Sequence, residues 1–457
     1  MSRGLPPSTE GWHVIYHRLK ELEERDAPIN VGLIATGTFG AQIVAQTCQM
    51  VGMRIAAIAE LDSEKAIAAY ERGGISSKHI RISEASADIN RAIADGQPIV
   101  TRDSAALIES DVDVIIEATG DVEVAARHAR DAILQKKHVV MVTVEGDVVY
   151  GTQLKKHADE AGVLYSAANG DEPSLAFQLW DWARALGFRV VAAGKGTRFL
   201  TTFRKANPDD VPRLYGFTGT DYNAQMFGSF LDGTKHAIEM CALSNMTGLV
   251  PDVRGMHFPA VDLRDMPDAL SHMSKGGILN QEGVVEAVSA AHQDETPVER
   301  NLRGGLYAII DGPVPALIES MRSYGEITGM ITGTKTDYAM VYRPQHFIGC
   351  EMPLTIAHMM LNGVTCGTPI GQISEVISAA KKPLRAGTLL DGEGGYCVYG
   401  LLENAKTATA ENLLPVGLSR GATLVRDIAE DGVVTYDDVE LPESVALDLR
   451  RAQDGTP

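Results

Sequence analysis

Continuous apolar runs alternate with stretches of helical spacing over the first 166 residues of the chain. The runs lie at 29–34, 54–59, 111–117, 139–143 and 163–166, and helical patterns separate them, including one at 151–161. Short strands that are apolar on both faces are typical of a parallel sheet covered by helices. The pattern therefore predicts an α/β fold with a Rossmann doubly wound parallel sheet over residues 29–166.

The rest of the pattern predicts a lead-in helix and two further domains. Trp12, Ile15, Leu19 and Leu22 have helical spacing, which predicts a helix at 11–25 inside an N-terminal segment 1–28. Residues 167–377 combine strands at 189–193 and 305–310 with an amphipathic helix at about 225–245, which predicts an α+β catalytic and dimerisation domain. Short strands with Gly and Asp turns fill 378–445 and predict a small β-rich domain, followed by a tail at 446–457.

A glycine turn between the first predicted strand and its helix indicates a dinucleotide site. In Ala35-Thr-Gly37-Thr-Phe-Gly40, Gly37 would let the backbone approach a pyrophosphate and Gly40 would let helix and strand pack closely. Glu60 ends the second strand, where a carboxylate can accept hydrogen bonds from ribose hydroxyls. A regulatory Rossmann domain without turnover is the alternative. The predicted cofactor-binding residues, which include a second turn after the strand at 111–117, are Thr36, Gly37, Thr38, Phe39, Gly40, Glu60, Ala118, Thr119 and Gly120.

The composition narrows the choice of partners and compartment. The chain has 457 residues and a formal net charge of -19, which argues against nucleic acid or an anionic membrane as the main partner. No uninterrupted apolar stretch reaches the length of a membrane span, and the start lacks a signal-peptide pattern. Five cysteines without a C-x-x-C pair fit a reduced compartment. We therefore expect a cytoplasmic protein.

Two adjacent acids follow the last predicted Rossmann strand. Asp171 and Glu172 could bind a divalent cation such as Mg²⁺ or Mn²⁺, which prefers oxygen ligands. Asp171 with Pro173 could equally begin a helix as an N-cap. The sequence leaves both interpretations open.

Three basic residues and one carboxylate are the candidate catalytic groups. Lys195 lies between two glycines at the end of a strand, where it could reach a carbonyl or phosphate oxygen or could be a solvated turn lysine. Lys235 and Glu239 are one helical turn apart, so they could bind a substrate oxyanion and a metal or form a surface ion pair. His346 could act as a general acid or could be a packing residue.

Several segments resemble the homoserine dehydrogenase-like oxidoreductases that carry a C-terminal SAF domain. They are Asp232-Gly-Thr-Lys235, Asn245-Met-Thr-Gly248, Pro251-Asp252, Tyr342-Arg343-Pro-Gln-His346 and Leu384-Arg-Ala-Gly387 with the strands that follow it. The resemblance spans about 29–445 and implies that the β-rich domain is SAF-like. In homoserine dehydrogenases an Asn-Lys pair ends the strand at which this chain has Val142-Thr-Val-Glu145. That departure weakens a plain homoserine assignment.

The resemblance includes a branch similar to deoxyxylulose phosphate reductoisomerase. It implies NAD(P)H-dependent reduction with rearrangement of 1-deoxy-D-xylulose 5-phosphate to 2-C-methyl-D-erythritol 4-phosphate, a step of isoprenoid precursor synthesis. Lys195 and Lys235 would then hold anionic oxygens, and Asp171, Glu172 and Glu239 would hold the metal. The first alternative is a metal-independent homoserine-type or hydroxy-acid dehydrogenase, and the second is a non-catalytic nucleotide sensor. We expect a homodimer that acts on a small phosphorylated or hydroxy-acid substrate.

Overall fold

The computed structural model describes residues 14–217 and 222–455. Within these ranges the chain divides into two compact units. The first comprises 14–174, 347–368 and 444–455, and the second comprises 175–217, 222–346 and 369–443. Trp12, one of the residues of the predicted lead-in helix, lies outside the described residues.

A parallel sheet of seven described strands forms the centre of the first unit, in the order β3-β4-β2-β1-β5-β6-β7. The strands are β1 (Ile29–Ile34), β2 (Met53–Ala59), β3 (Arg81–Ile82), β4 (Ile99–Thr101), β5 (Val114–Glu117), β6 (His138–Met141) and β7 (Tyr165–Ala167). Nearly all residues of β1, β2 and β5 are buried, as expected for a sheet with two covered faces. The strand order reverses at β1, between β2 and β5, which makes the β1/β5 edge the ligand-binding switch point of such sheets.

Helices surround this sheet. They are α1 (Ile15–Glu24), α2 (Thr38–Thr47), α3 (Ser63–Arg72), α4 (Ser86–Ala94), α5 (Ser104–Ile108), α6 (Val122–Leu134) and α7 (Val144–Ala161). The chain then enters α8 (Glu172–Ala185), which continues into residues of the second unit. The prediction of an α/β fold with a Rossmann-type parallel sheet is confirmed.

The second unit is built on a mixed sheet in the order β12-β13-β11-β8-β10-β9. Its strands are β8 (Arg189–Thr197), β9 (Val250–Pro251), β10 (Val284–Ser289), β11 (Leu306–Asp311), β12 (Ile331–Thr332) and β13 (Tyr338–Arg343). Strands β8, β10 and β9 are parallel, and β11 pairs antiparallel with both β8 and β13. The carboxyl ends of β8, β10 and β9 therefore share one edge, at which the loops after Thr197, Ser289 and Pro251 begin.

Five helices of the second unit are α9 (Val211–Tyr215), α10 (Ala224–Asp232), α11 (Thr234–Thr247), α12 (Met266–Ala269) and α13 (Pro315–Thr328). Helices α10 and α11 follow each other directly. The single amphipathic helix predicted at about 225–245 is wrong, because Gly233 has a φ of +92° and ends α10. Helix α11 is also not amphipathic, since every one of its residues except Lys235 is buried.

The remaining elements belong to the two units as follows. In the first unit, α14 (Ile348–Glu351), α15 (Pro353–Ala357) and a π-helical turn (His358–Asn362) pack in the 347–368 segment. In the second unit, β14 (Ser374–Ala380) pairs with β15 (Val398–Asn404), α16 (Ala405–Ala410) follows, and β16 (Thr423–Leu424) pairs with β17 (Val439–Glu440). The last helix, α17 (Val445–Asp454), lies in the first unit against α6 and α7.

Short 3-10 turns complete the described structure. They lie at Ser77–His79, Thr201–Phe203, Pro208–Asp210, Met273–Lys275, Val416–Leu418 and Tyr436–Asp438. Among the described helices, none has both the length and the apolar character that crossing a bilayer requires.

Candidate active site

The turn between β1 and α2 combines one strained residue with one obligatory glycine. Ala35 takes the place of the usual first glycine and adopts a φ of +75°, a left-handed conformation that costs energy for a residue with a side chain. A Cβ on Gly40 would lie 2.3 Å from the Ala35 carbonyl oxygen, so only glycine fits there. The close contact between α2 and the end of β1 therefore depends on the absence of a side chain at position 40.

Gly37 leaves the N-terminus of α2 open. It is the N-cap residue and has no side chain to accept hydrogen bonds from the first turn. Beyond its two chain neighbours, no atom of the described residues lies within 4 Å of where a Cβ would be. First-turn N–H groups together with the helix dipole suit a phosphate. Thr36, Gly37, Thr38, Phe39 and Gly40 thus form a backbone cradle that fits a dinucleotide pyrophosphate.

Glu60 at the end of β2 fixes the same turn. Its Oε2 accepts hydrogen bonds from the Thr36 amide at 2.7 Å and the Thr36 hydroxyl at 2.9 Å. Its Oε1 accepts from the Asp62 amide at 3.2 Å. Each carboxylate oxygen has more than one lone pair, so these bonds leave acceptor capacity for a ribose hydroxyl.

The turn after β5 is fixed by a buried carboxylate. Glu117 is fully buried, and its Oε1 accepts from the Thr119 hydroxyl at 2.6 Å while the Thr143 hydroxyl donates to Oε2. The Gly120 amide donates to the Thr143 hydroxyl oxygen at 2.9 Å. Because β5 pairs with β1, this ties Ala118, Thr119 and Gly120 to the switch-point edge of the sheet.

Asp171 and Glu172 lie at the start of α8 in the first unit. The Glu172 amide donates to Asp171 Oδ1 at 3.0 Å, so Asp171 makes a local bond at the helix start. Glu172 is buried and Asp171 is half-buried. Before them Gly170 has a φ of +84°, and a Cβ there would lie 2.7 Å from the Glu351 Cβ. The carboxylates are thus set at the carboxyl end of β7 by a turn that only glycine can make.

A buried ion pair joins β8 to α11 in the second unit. The Lys195 ammonium on β8 donates to Oε2 of Glu239 on α11, and both side chains are at most 2% exposed. Lys195 Nζ also lies 5.9 Å from the centroid of the Phe230 ring. Glycines flank Lys195, and a Cβ at Gly194 would lie 1.9 Å from the Glu286 carbonyl oxygen, so the strand at this point admits no larger residue. Removing a charged pair from water costs free energy. Buried ionisable pairs of this kind are common in active sites.

His236 lies beside the Lys195–Glu239 ion pair. Its Nε2 is 2.9 Å from the Thr197 hydroxyl, and its Nδ1 is 3.9 Å from Glu239 Oε2. His236 was not among the residues predicted from the sequence, although it stands three residues before Glu239 and so shares its helix face. The set of Lys195, Thr197, His236 and Glu239 places an ammonium, a hydroxyl, an imidazole and a carboxylate in one buried chain of contacts, which can hold and move a proton.

The other predicted residues of this unit lie nearby in sequence but have different surroundings. Lys235 is half-buried, as the one residue of α11 that is not buried. His346 follows β13, and its Nδ1 donates to the Gly304 carbonyl oxygen at 2.9 Å, a bond that fixes the proton on Nδ1 when the ring is neutral. Of the predicted catalytic residues, the described contacts therefore join Lys195 with Glu239, and they place His346 against the turn before β11.

Two further ionisable groups of this unit were not selected from the sequence. Asp252, after β9, accepts from His257 Nε2 at 2.7 Å and from the amides of Asn280 and Gln281. Glu286 on β10 is fully buried, and burial raises its pKa to about 7, against the lowering effect of backbone N–H bonds. An acid inside an apolar strand was the available signal for Glu286, since buried carboxylates are rare without a role.

Comparisons with known proteins agree with an enzymatic role for this region. Residues 170–352 match the family model described as the catalytic domain of oxidoreductase DRL, and this range contains Lys195, His236, Glu239 and Glu286. No curated protein matches the chain.

The solved structures that the chain matches include two dehydrogenases. Scyllo-inositol dehydrogenase from Lactobacillus casei, solved with NAD(H) and scyllo-inositol, is 10% identical, with 75% of this chain and 92% of that chain covered and a TM-score of 0.38. The WlbA dehydrogenase from Bordetella pertussis, solved with NADH and UDP-GlcNAcA, is 17% identical, with 38% of this chain and 47% of that chain covered and a TM-score of 0.26.

The match to an oxidoreductase catalytic domain, together with the dinucleotide-binding βαβ unit at β1, α2 and β2, makes this chain an NAD(P)-dependent oxidoreductase.

Proposed function

We propose that the enzyme reduces the carbonyl group of a small oxygen-rich substrate, and that Lys195 handles the proton of the oxygen that reacts. The observation that carries the proposal is the buried Lys195–Glu239 pair inside the region that matches an oxidoreductase catalytic domain. The nicotinamide ring would supply the hydride when it is bound. A protonated lysine can donate a hydrogen bond to a carbonyl oxygen and neutralise the negative charge that develops on it.

The neighbours of Lys195 suit this role. Glu239 stabilises the ammonium form and orients it. His236 lies between Thr197 and Glu239, where it can pass a proton toward or away from the pair. Lys235 extends from the same helix and is half-buried, so its cation suits a phosphate or carboxylate of the substrate.

The finer form of the proposal is the reductoisomerase-like reaction implied by the sequence resemblance. In it Asp171 and Glu172 would hold a divalent cation, which would supply electrophilic assistance to the rearrangement of deoxyxylulose 5-phosphate. Asp171 and Glu172 supply oxygen ligands of the type that Mg²⁺ and Mn²⁺ prefer. We also propose three properties from the sequence: a homoserine dehydrogenase-like relationship, a SAF-like domain at 378–445 and a homodimer.

A metal-independent dehydrogenase is the second candidate, and one observation favours it. Glu239, the third predicted metal ligand, already accepts a hydrogen bond from Lys195 in the second unit. A carboxylate neutralised by an ammonium attracts a cation less strongly than a free one. A hydroxy-acid or homoserine-type substrate would then need Lys195 and Lys235 but no metal.

A spectrophotometric screen tests both candidates. NADH and NADPH are offered separately with sugar phosphates and hydroxy acids, in Mg²⁺, in Mn²⁺ and in excess chelator. Turnover of a sugar phosphate that is lost in chelator supports the reductoisomerase-like reaction, whereas turnover that persists in chelator supports the metal-independent dehydrogenase. The Glu60 carboxylate repels a 2′-phosphate and favours NADH, while the resemblance favours NADPH. Tight cofactor binding with no turnover of either substrate class would contradict the proposal.

The variant Lys195→Met tests the proton-handling role. We expect turnover per folded molecule to fall by about 10²-fold to 10³-fold, the scale for losing one charge-stabilising donor, with NAD(P)H affinity unchanged. Because this variant leaves Glu239 buried without its cation, the double variant Lys195→Met with Glu239→Gln is the control for folding. A folded double variant with the turnover of the parent would remove Lys195 from the site.

A further inference from the structure

A buried carboxylate on β10 holds the backbone of a neighbouring loop. Glu286 Oε2 accepts from the His257 amide at 3.0 Å, and Oε1 accepts from the Phe258 amide at 3.2 Å and the Ala287 amide at 3.0 Å. The side chain is fully buried. A buried carboxylate that accepts three backbone N–H bonds fixes the peptide groups that donate them.

The loop that Glu286 holds has an unfavourable backbone conformation. Met256 and Phe258 have φ values of +64° and +49°, in the left-handed region that residues with side chains rarely occupy. Such conformations are unfavourable for residues with side chains and persist where the surroundings impose them, most often at functional sites. Both side chains are nearly buried, at 6% and 5% exposed, so packing and the Glu286 carboxylate together impose the conformation.

The Phe258 ring connects this loop to the candidate active site. Its centroid is 4.2 Å from that of Phe199, which follows Thr197 and Arg198 at the end of β8. It is 6.1 Å from the centroid of His236, with the two rings at 63°. His236 in turn contacts Thr197 and lies beside Glu239, the partner of Lys195. Every step from Glu286 to Lys195 is therefore a direct contact within the second unit.

We propose that Glu286 is a positioning residue for the Lys195 site. By fixing the amides of His257 and Phe258, it presses the Phe258 ring against His236 and so sets the imidazole between Thr197 and Glu239. The hydrogen bonds described for the Glu286 carboxylate come from backbone amides, so its effect on catalysis would pass through Phe258 and His236. The catalytic part of this inference rests on the proposed function of Lys195, whereas the placement of His236 can be tested without any substrate.

The first test uses Glu286→Gln with histidine-labelled protein. The amide keeps the size of the carboxylate but replaces one acceptor oxygen by an NH₂ donor, so at least one backbone N–H loses its partner. The imidazole ¹⁵N and ¹H signals of His236, assigned with His236→Asn, should shift, and kcat should fall by about 10-fold to 100-fold, the scale of a small misplacement in a catalytic group. KM and the affinity for NAD(P)H should change little.

The variant Asp268→Asn is a matched control, because it also replaces a carboxylate that holds a loop by an amide. Asp268 accepts hydrogen bonds from the amides of Thr334, Lys335 and Thr336 at 2.8 to 3.1 Å. Asp268→Asn should leave the His236 signals and kcat unchanged while lowering stability. If Asp268→Asn shifts the His236 signals as much as Glu286→Gln does, the effect is a general loss of structure and the proposal is overturned.

The second variant, Phe258→Leu, keeps the carboxylate and its N–H bonds but removes the ring. It should reproduce the His236 shift and the lower kcat, even if Glu286→Gln does not fold. Unchanged His236 signals in Phe258→Leu would overturn the proposal. If no substrate is turned over by the parent, the proposed function fails, but the His236 signals still decide the positioning role.

Discussion

The dinucleotide turn of the first unit is made of backbone atoms next to open space, whereas the Lys195–Glu239 pair of the second unit is made of buried side chains. Apart from Gly37 itself and its two chain neighbours, no described residue has an atom within 4 Å of the position that a Cβ on Gly37 would occupy. Lys195 and Glu239 are at most 2% exposed. A change at Gly37 therefore alters what can bind, while a change at Lys195 also alters the energy of the folded protein.

A second buried pair in the same unit makes the comparison more precise. Asp232, the last residue of α10, pairs with Lys381 at 2.8 Å, and both side chains are at most 3% exposed. The Lys381 ammonium also donates to the carbonyl oxygens of Ala206 and Gly395, each at 2.6 Å. These three bonds use all the N–H donors of the lysine, which indicates a structural role. Lys381 also lies outside the region that matches the oxidoreductase catalytic domain.

The largest predicted effect is on stability, in Lys381→Met. Burial raises the pKa of Asp232 while Lys381 lowers it, so removing the lysine leaves a carboxylate whose charged form is disfavoured. The free energy of unfolding should fall by about 3–5 kcal/mol, the usual cost of leaving one buried charge unpaired. Urea unfolding of parent and variant measures the difference. Turnover per folded molecule should stay close to that of the parent, in contrast to Lys195→Met.

The double variant Lys381→Met with Asp232→Asn is the control for that prediction. Removing both charges should recover much of the lost stability, because no unpaired charge remains. If Lys381→Met lost turnover as severely as Lys195→Met does, the distinction between a structural and a catalytic pair would be wrong.

A buried acid of the first unit should give a pH-dependent stability. Asp147 accepts from the Tyr165 hydroxyl at 2.6 Å, and burial raises its pKa to about 6. Because the native carboxyl keeps its proton to a higher pH than the unfolded one, its stabilising contribution is complete below pH about 4 and is lost as pH rises through about 6. Between these values the parent should lose up to about 3 kcal/mol more than Asp147→Asn. Equal pH dependence in urea unfolding would show that Asp147 titrates normally.

Lys235→Ala tests whether the half-buried lysine of α11 acts on substrate. Turnover should fall by about 10²-fold, the scale of one lost charge-stabilising donor, with little change in the melting temperature. If Lys235 only stabilises the fold through a surface ion pair, the opposite is expected. Turnover should then stay near that of the parent, and the loss of stability should be under about 1 kcal/mol. Steady-state kinetics and thermal unfolding on the same sample distinguish the two.

The smallest predicted effect is on cofactor affinity, in Gly37→Val. The open space around Gly37 accommodates the side chain in the free protein, but a bound pyrophosphate would clash with it at a cost of about 1–3 kcal/mol. NAD(P)H should bind about 10-fold to 100-fold more weakly, as measured by fluorescence titration, with unfolding unchanged. Gly40→Ala is the contrasting variant, since its Cβ would meet the Ala35 carbonyl and lower stability directly. Unchanged affinity in Gly37→Val would contradict the cradle.

The sheet of the first unit was predictable because its signals are local. The strand predicted at 29–34 coincides with β1, and the run at 54–59 lies within β2. Buried parallel strands need continuous apolar residues, so the pattern can be read without knowing their partners. The helix predicted at about 225–245 failed because Gly233 breaks it, and an isolated glycine in a helical pattern does not show by itself whether the helix continues through it.

The βαβ order, the glycine turn and the presence of lysines and carboxylates that could do chemistry can all be read from the residues alone. The folded chain was needed to show that Glu239 pairs with Lys195, 44 residues away, that His236 stands beside them, and that Glu286 holds the loop at 256–258. The glycine turn depends on backbone conformation within one short segment, which residue types specify directly. The buried pair depends on which helix packs against which strand, and that choice is made by the whole core of the second unit.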